Sequence, residues 1–119
     1  MGTLSIGVFS SLVGSMNLDF AIRLAQTAIN KGHTVNLWLS GNATTLSKDK
    51  QKEFKDYSHL DKILRDLMGK GLSVVSCEAC NQSRGIQKED LIGGINRASM
   101  DLYLANSAQS DRVLHIGVE

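Results

Sequence analysis

The chain has 119 residues, 42% of them apolar and 21% charged, with a formal charge of +1 at pH 7. That length suits one domain burying roughly two thirds of its unfolded surface, and the near-neutral balance excludes a strong electrostatic drive toward nucleic acid or an anionic membrane. No run approaches about 18 apolar residues, so no helix is expected to span a bilayer, and two cysteines are too few for a secreted disulfide framework.

Residues 1–9, MGTLSIGVF, lack the basic start and small-residue cleavage site of a signal peptide, and residues 4–9 read as a buried strand. The expected location is therefore the cytoplasm. A loop of small residues follows, from Ser10 and Ser11 through Gly14 to Ser15. Apolar residues then recur at Leu18, Ala21, Ile22, Ala25, Ala28 and Ile29, which is helical spacing, with Asn17 as cap, Asp19 in the first turn and Gly32 as the stop. Residues 34–39, TVNLWL, form a second strand. Residues 40–57 are polar and poorly periodic, and the mixed run SKDKQKEFKD at 47–56 reads as a solvated loop.

Ser58-His59-Leu60-Asp61 has the form of a weak capping box, opening a helix whose stripe is Ile63, Leu64, Leu67 and Met68. Gly69 and Gly71 close it. Residues 72–76 are the third strand, which delivers Cys77. Lys88-Glu89-Asp90 begins a short helix, residues 95–98 a short fourth strand, residues 101–108 a helix and residues 112–118 a fifth strand.

Strands alternating with helices imply right-handed parallel crossovers. The expected fold is α/β: a three-layer sandwich, flavodoxin-like, with a mostly parallel five-stranded sheet and helices on both faces. In such sheets ligands bind beyond the carboxyl ends of the strands, where the strand order reverses. A strand order of 2-1-3-4-5 sets the loop after strand one opposite Cys77, so that Ser10, Ser11 and Gly14, with Gly85 from the cysteine segment, are expected to line one crevice with it.

The stretch VVSCEACNQSRGI, residues 74–86, holds both cysteines, Cys77 and Cys80, and then Arg84-Gly85. An unperturbed thiol is only about 3% ionised at pH 7. Making it mostly thiolate requires roughly 2.7 kcal/mol, more than the 0.3–1 kcal/mol or so that a helix terminus supplies. A guanidinium at close range lowers a pKa by about 1–3 units, and Arg84, beside the flexible Gly85, is the candidate. Glu78 opposes this unless it points outward, as expected here.

At these residues the sequence resembles the DsrE/DsrF/TusD group of sulfur-relay proteins. The shared pattern is an apolar strand, a Cys, then Arg-Gly and an aliphatic residue at the seventh, eighth and ninth places after it: Cys77, Arg84, Gly85 and Ile86. The likeness extends to the opening strand and its loop, to Asp90-Leu91-Ile92 with Gly94-Ile95, and to Ser110-Asp111-Arg112-Val113-Leu114. The resemblance implies a small α/β subunit that assembles into trimers or hexamers. It also implies a cysteine carrying sulfur as a persulfide, exchanged with TusA-like or rhodanese-like proteins, with no metal or organic cofactor. The sulfur-carrying role passes to Cys77 alone. Arg84 matches in position, but its role is the electrostatic argument above. Cys80 departs from the TusD-like pattern, which has a small residue there, and adds the prospect of redox activity.

Other readings compete with that one. Cys77 and Cys80 are otherwise packing residues at a strand end and its turn, or a reversible disulfide in a redox-sensing or assembly module. A thioredoxin-type site rests on a proline opposite its Cys-x-x-Cys, and this chain has none. One Cys-x-x-Cys supplies two zinc ligands, and His33, His59 and His115 lie far apart. The Ser10 loop lacks both the dinucleotide and the P-loop fingerprint. Trp38 is expected away from the crevice, Met16 and Met100 in the core, and Tyr103 carries no distinctive signal.

Overall fold

The first strand, β1 (Thr3–Phe9), alternates sharply: Ile6 and Val8 are wholly buried on one face, while Ser5, Gly7 and Phe9 take the other. The computed structural model describes residues 1–9, 11, 13, 15–51 and 59–117. Helix α1 (Met16–Asn30) follows and buries Leu18, Ala21, Ile22, Ala25 and Ala28. Its cap is Ser15, whose hydroxyl accepts the Leu18 N–H at 3.3 Å. The expected cap, Asn17, turns its amide to Ser11 Oγ at 3.2 Å instead. The chain leaves the helix through Gly32, at φ +88°, a conformation that costs a residue with a Cβ about 1–2 kcal/mol.

Strand β2 (Thr34–Ser40) runs into a 3-10 helix, Gly41–Ser47, where a polar loop was expected. Helix α2 (Asp61–Gly69) buries Leu64 and Leu67 and leaves Ile63 exposed. Leu60 is its N-cap and makes no side-chain cap bond; Ser58 lies outside the described residues. Then come β3 (Ser73–Cys77), α3 (Glu78–Ser83), a 3-10 turn at Lys88–Asp90, β4 (Asn96–Ala98), α4 (Met100–Ala108) and β5 (Arg112–Ile116).

The five strands form one sheet of order β4-β3-β2-β1-β5, and every pairing is parallel. The fold class is the expected three-layer α/β sandwich. The expected order 2-1-3-4-5 is not found. From β1 to β4 each crossover steps to the next strand on the same side, and only the connection through α4 returns across the sheet to pair β5 with β1. Strand β2 therefore lies between β1 and β3, which the expected order made direct neighbours. Its burial on both faces explains this: Val35, Leu37 and Leu39 enter the main core and Trp38 the opposite face, as a central strand requires.

The main core joins Ile6, Val8, Val35, Leu37, Leu39 and Val74 to α1 and α2. Each fully buried Leu there contributes about 1.5–3 kcal/mol. On the other face a smaller cluster of Trp38, Val75 and Tyr103, with Phe9, Cys77 and Ala98 against it, lies beneath α4. Tyr103 is the buried residue of α4, while Met100, Leu102 and Leu104 are exposed, as is Val113 of β5. Met16, also expected in the core, is 62% exposed.

Candidate functional site

Parallel strands alternate their side chains, and the two residues ending β3 therefore face opposite ways. Ser76 enters the main core side, fully buried, and Cys77 packs against the aromatic cluster. Cys77 is also the N-cap of α3, with extended backbone at φ −62° and ψ 120°. Its sulfur accepts the Cys80 N–H at 3.4 Å, the place that a Ser or Asp oxygen takes at an ordinary cap. Both thiols are free and half-buried.

Behind the sulfur runs a line of buried polar groups. Asn81, fully buried, donates from Nδ2 to Ser76 Oγ at 2.8 Å and to the Cys77 carbonyl at 2.6 Å. Ser76 Oγ lies 3.2 Å from Ser47 Oγ in the 3-10 helix. These bonds tie the end of β3, the first turn of α3 and the segment after β2 into one unit.

The electrostatics differ from the expectation. The Cys77 thiol is held above the usual thiol range, first by burial and then by the hydrogen bond to the Cys80 thiol, against which the N–H groups of Cys80 and Ala79 pull it down. The Arg84 guanidinium is engaged elsewhere. Its Nε donates to Asn42 Oδ1 at 2.9 Å, and its Nη1 to the Cys80 carbonyl at 3.2 Å and to Ser83 Oγ at 3.0 Å. It clamps α3 to the 3-10 helix at Gly41–Ser47 and does not lower the thiol pKa. Glu78 does point outward, 3.7 Å from Arg97.

The Arg-Gly-Ile motif also has a structural purpose. Arg84 is the C-cap of α3, Gly85 follows at φ +68°, and Ile86 is buried. The Ile86 N–H reaches the Asn81 carbonyl at 2.9 Å and the Gly85 N–H the Gln82 carbonyl at 3.2 Å. This is a Schellman termination, with its left-handed glycine and the apolar residue after it.

The loop after β1 is not brought to the thiol. Buried Ser11 bonds Asn17, and the Val13 N–H donates to Thr45 Oγ1 at 3.1 Å. With β2 between β1 and β3, the crevice expected to join Ser11 and Cys77 does not form; Ser10 and Gly14 lie outside the described residues.

In its place the sulfur has an aromatic floor. Trp38 stacks on Tyr103 with ring centroids 5.6 Å apart and planes at 14°. Phe9 meets Tyr103 edge-on at 6.5 Å. Gly7 makes the stack possible, since a Cβ there would stand 2.6 Å from Tyr103 Oη. The sequence reading sets Trp38 away from the thiol's crevice and finds no signal in Tyr103, whereas both belong to the cluster against which Cys77 packs; Asn81 and Asn42 it does not single out. Only the position of Asn81, one helical turn beyond Cys77, carried a signal.

Among the described residues no group of three or more His, Cys, Asp or Glu could hold a metal ion, and no helix is long and apolar enough to cross a membrane. The arrangement offers a reachable thiol, backbone N–H groups at its turn, and a second thiol three residues on.

The family model described as DsrE/DsrF-like matches residues 6–116. An uncharacterized protein of Methanocaldococcus jannaschii, MJ0989, is 33% identical over 94 residues, 79% of this chain and 82% of that one. The crystal structure of the ychN protein from E. coli superimposes with a TM-score of 0.88 at 25% identity, covering 97% of this chain and 99% of that one. A protein of unknown function from Methanobacterium thermoautotrophicum, MTH1491, shares the fold with a TM-score of 0.78 at 9% identity, over 97% of this chain and 99% of that one.

Proposed function

The chain belongs to the DsrE/DsrF-like family, and from that premise we propose that it is a cytoplasmic sulfur carrier that holds sulfane sulfur as a persulfide on Cys77. The Cys77 thiolate attacks the outer sulfur of a donor persulfide. A new S–S bond forms, the donor's S–S bond breaks, and the electron pair leaves on the donor's inner sulfur as a thiolate. Delivery is the same exchange in reverse sense, with an acceptor thiolate attacking the outer sulfur and Cys77 leaving. Donor and acceptor are TusA-like or rhodanese-like proteins.

The observation that carries this reading is the half-buried Cys77 sulfur at the cap of α3, bonded to the Cys80 N–H at 3.4 Å. Backbone donors there favour an anionic sulfur. Arg84 supports the site by holding the turn through the Cys80 carbonyl. Large apolar side chains left exposed on α4 (Met100, Leu102 and Leu104) and on β5 (Val113) support assembly into a homo-oligomer, in which such surface would be covered.

Mass spectrometry after incubation with polysulfide tests the proposal. The wild type and Cys80→Ser gain sulfur and Cys77→Ser does not; sulfur found on Cys80 alone overturns the assignment.

The contact between the two thiols supports a second reading. Cys77 and Cys80 give up two protons and two electrons to a disulfide oxidant such as oxidised glutathione and become joined. A reversible internal disulfide, with no sulfur uptake from polysulfide, would make the protein a redox sensor.

A further inference from the structure

Arg97 is the middle residue of β4, the strand at the edge of the sheet beside β3, and it stands opposite Ser76. Its side chain is mostly buried, only 15% exposed, yet its guanidinium makes no hydrogen bond among the described residues. It faces Glu78, whose Oε2 stands 3.7 Å from Nη2, beyond the reach of a hydrogen bond. A guanidinium carries five N–H donors in a planar fork. A charge drawn out of water with those donors unmade is costly.

The fork borders a cavity of about 260 Å³, lined by Glu78, Lys88, Leu91, Ile95, Asn96 and Arg97. Buried Leu91 and Ile95 make its floor. Lys88 and Arg97 set two positive charges against the one carboxylate of Glu78, and the Asn96 amide adds a neutral donor. The other acids of the Lys88–Asp90 turn belong elsewhere: Asp90 accepts the Gln87 N–H at 2.8 Å and, with Glu89, lines a different cleft beside Lys48 and Lys50. The volume is smaller than the roughly 300–1,000 Å³ of pockets that enclose a drug-sized ligand. It suits one polar group.

We propose that this cavity binds an oxyanion, a carboxylate or a phosphate, with the Arg97 guanidinium as its fork and Lys88 and Asn96 as further donors. A guanidinium matches either group two bonds at a time. The bound anion takes Arg97 from Glu78, whose side chain is 57% exposed and turns to water. Cys77 does not line the cavity, and Arg97 shares the sheet face of Ser76 rather than that of Cys77. The site therefore stands whether or not Cys77 carries sulfur.

Inorganic phosphate and acetate, titrated separately into ¹⁵N-labelled protein at fixed pH and ionic strength with chloride as the balancing anion, test the proposal. The Arg97 Nε–H and Asn96 side-chain amide resonances move and saturate in the wild type, and the Asn96 amide stays in place in Arg97→Gln. Glu78→Gln binds about threefold tighter, since the anion no longer competes with an exposed ion pair. Saturation by acetate marks the occupant as a carboxylate, such as an acidic side chain of a docking protein; saturation by phosphate alone marks a free phosphate or its ester. Shifts that rise linearly without saturating, or that persist unchanged in Arg97→Gln, overturn the site. Should Arg97→Gln fail to fold, the wild type and Glu78→Gln decide, and equal affinity in those two overturns the site as well.

Discussion

Replacing Asn81 probes the site and the fold together. Truncation to Ala removes two hydrogen bonds, to Ser76 Oγ at 2.8 Å and to the Cys77 carbonyl at 2.6 Å, each with a net contribution of about 1 kcal/mol. Ser76 keeps Ser47 as a partner, whereas the Cys77 carbonyl loses its side-chain donor. Against this, Asn81 Oδ1 is buried without a partner among the described residues, so its removal returns part of an expense of about 1–3 kcal/mol. The expected net loss for Asn81→Ala is about 1–2 kcal/mol, a fall of several degrees in Tm for a domain of this size. Asn81→Asp is worse, because it buries a carboxylate facing a carbonyl that cannot donate. Urea denaturation gives the order wild type, Ala, Asp. Alkylation of Cys77 by iodoacetamide then shows whether the loosened turn changes the thiol. An Ala variant within about 0.5 kcal/mol of wild type, or an Asp variant no worse than Ala, refutes the polar line from Asn81 to Ser47 as a support of the site.

Arg84→Ala should leave the pH dependence of Cys77 alkylation in place, because its guanidinium serves Asn42 and the Cys80 and Ser83 oxygens; an upward move of a full unit would restore the electrostatic role. Cys80→Ala removes a hydrogen bond that favours the protonated Cys77 thiol, so the alkylation midpoint falls, yet stays above that of a free thiol because burial is the larger cause. Gly85→Ala meets open space but must adopt φ +68°, and should lose about 1–2 kcal/mol in thermal denaturation. The Cys77 and Tyr103 pKa values are both raised, each first by burial. Their stabilising effect is present below the unfolded-state pKa and is lost as pH rises through the folded one. Stability measured by urea should therefore decline through the thiol range and again above about pH 10, and Cys77→Ser should flatten the first decline only.

Element identity was legible because it rests on local periodicity. The stripe Leu18, Ala21, Ile22, Ala25 turned inward as α1, and the apolar runs at β1, β2 and β3 became strands. Termini were less legible, because a cap is a contest between neighbouring hydroxyls and amides. Ser15 took the α1 cap because Asn17 found Ser11. Strand order was not legible at all. Each crossover chooses its neighbour by long-range packing, and nothing within a strand announces that choice except, in retrospect, the two-sided burial of Val35, Leu37, Trp38 and Leu39.

That one topological difference accounts for most of what was missed at the site. With β2 beside β3, the residue next to the thiol's strand is Trp38 rather than the serine loop, and the last crossover lays Tyr103 over the same face. The sulfur therefore rests on a surface that resists a bare thiolate, since burial raises its pKa. A cationic pocket would keep Cys77 charged whether or not it carried sulfur. An apolar floor disfavours an anion on the Cys77 sulfur itself and penalises less a charge carried one atom farther from the buried end. For a carrier that asymmetry is the more useful property, because it separates the two states by the position of one atom.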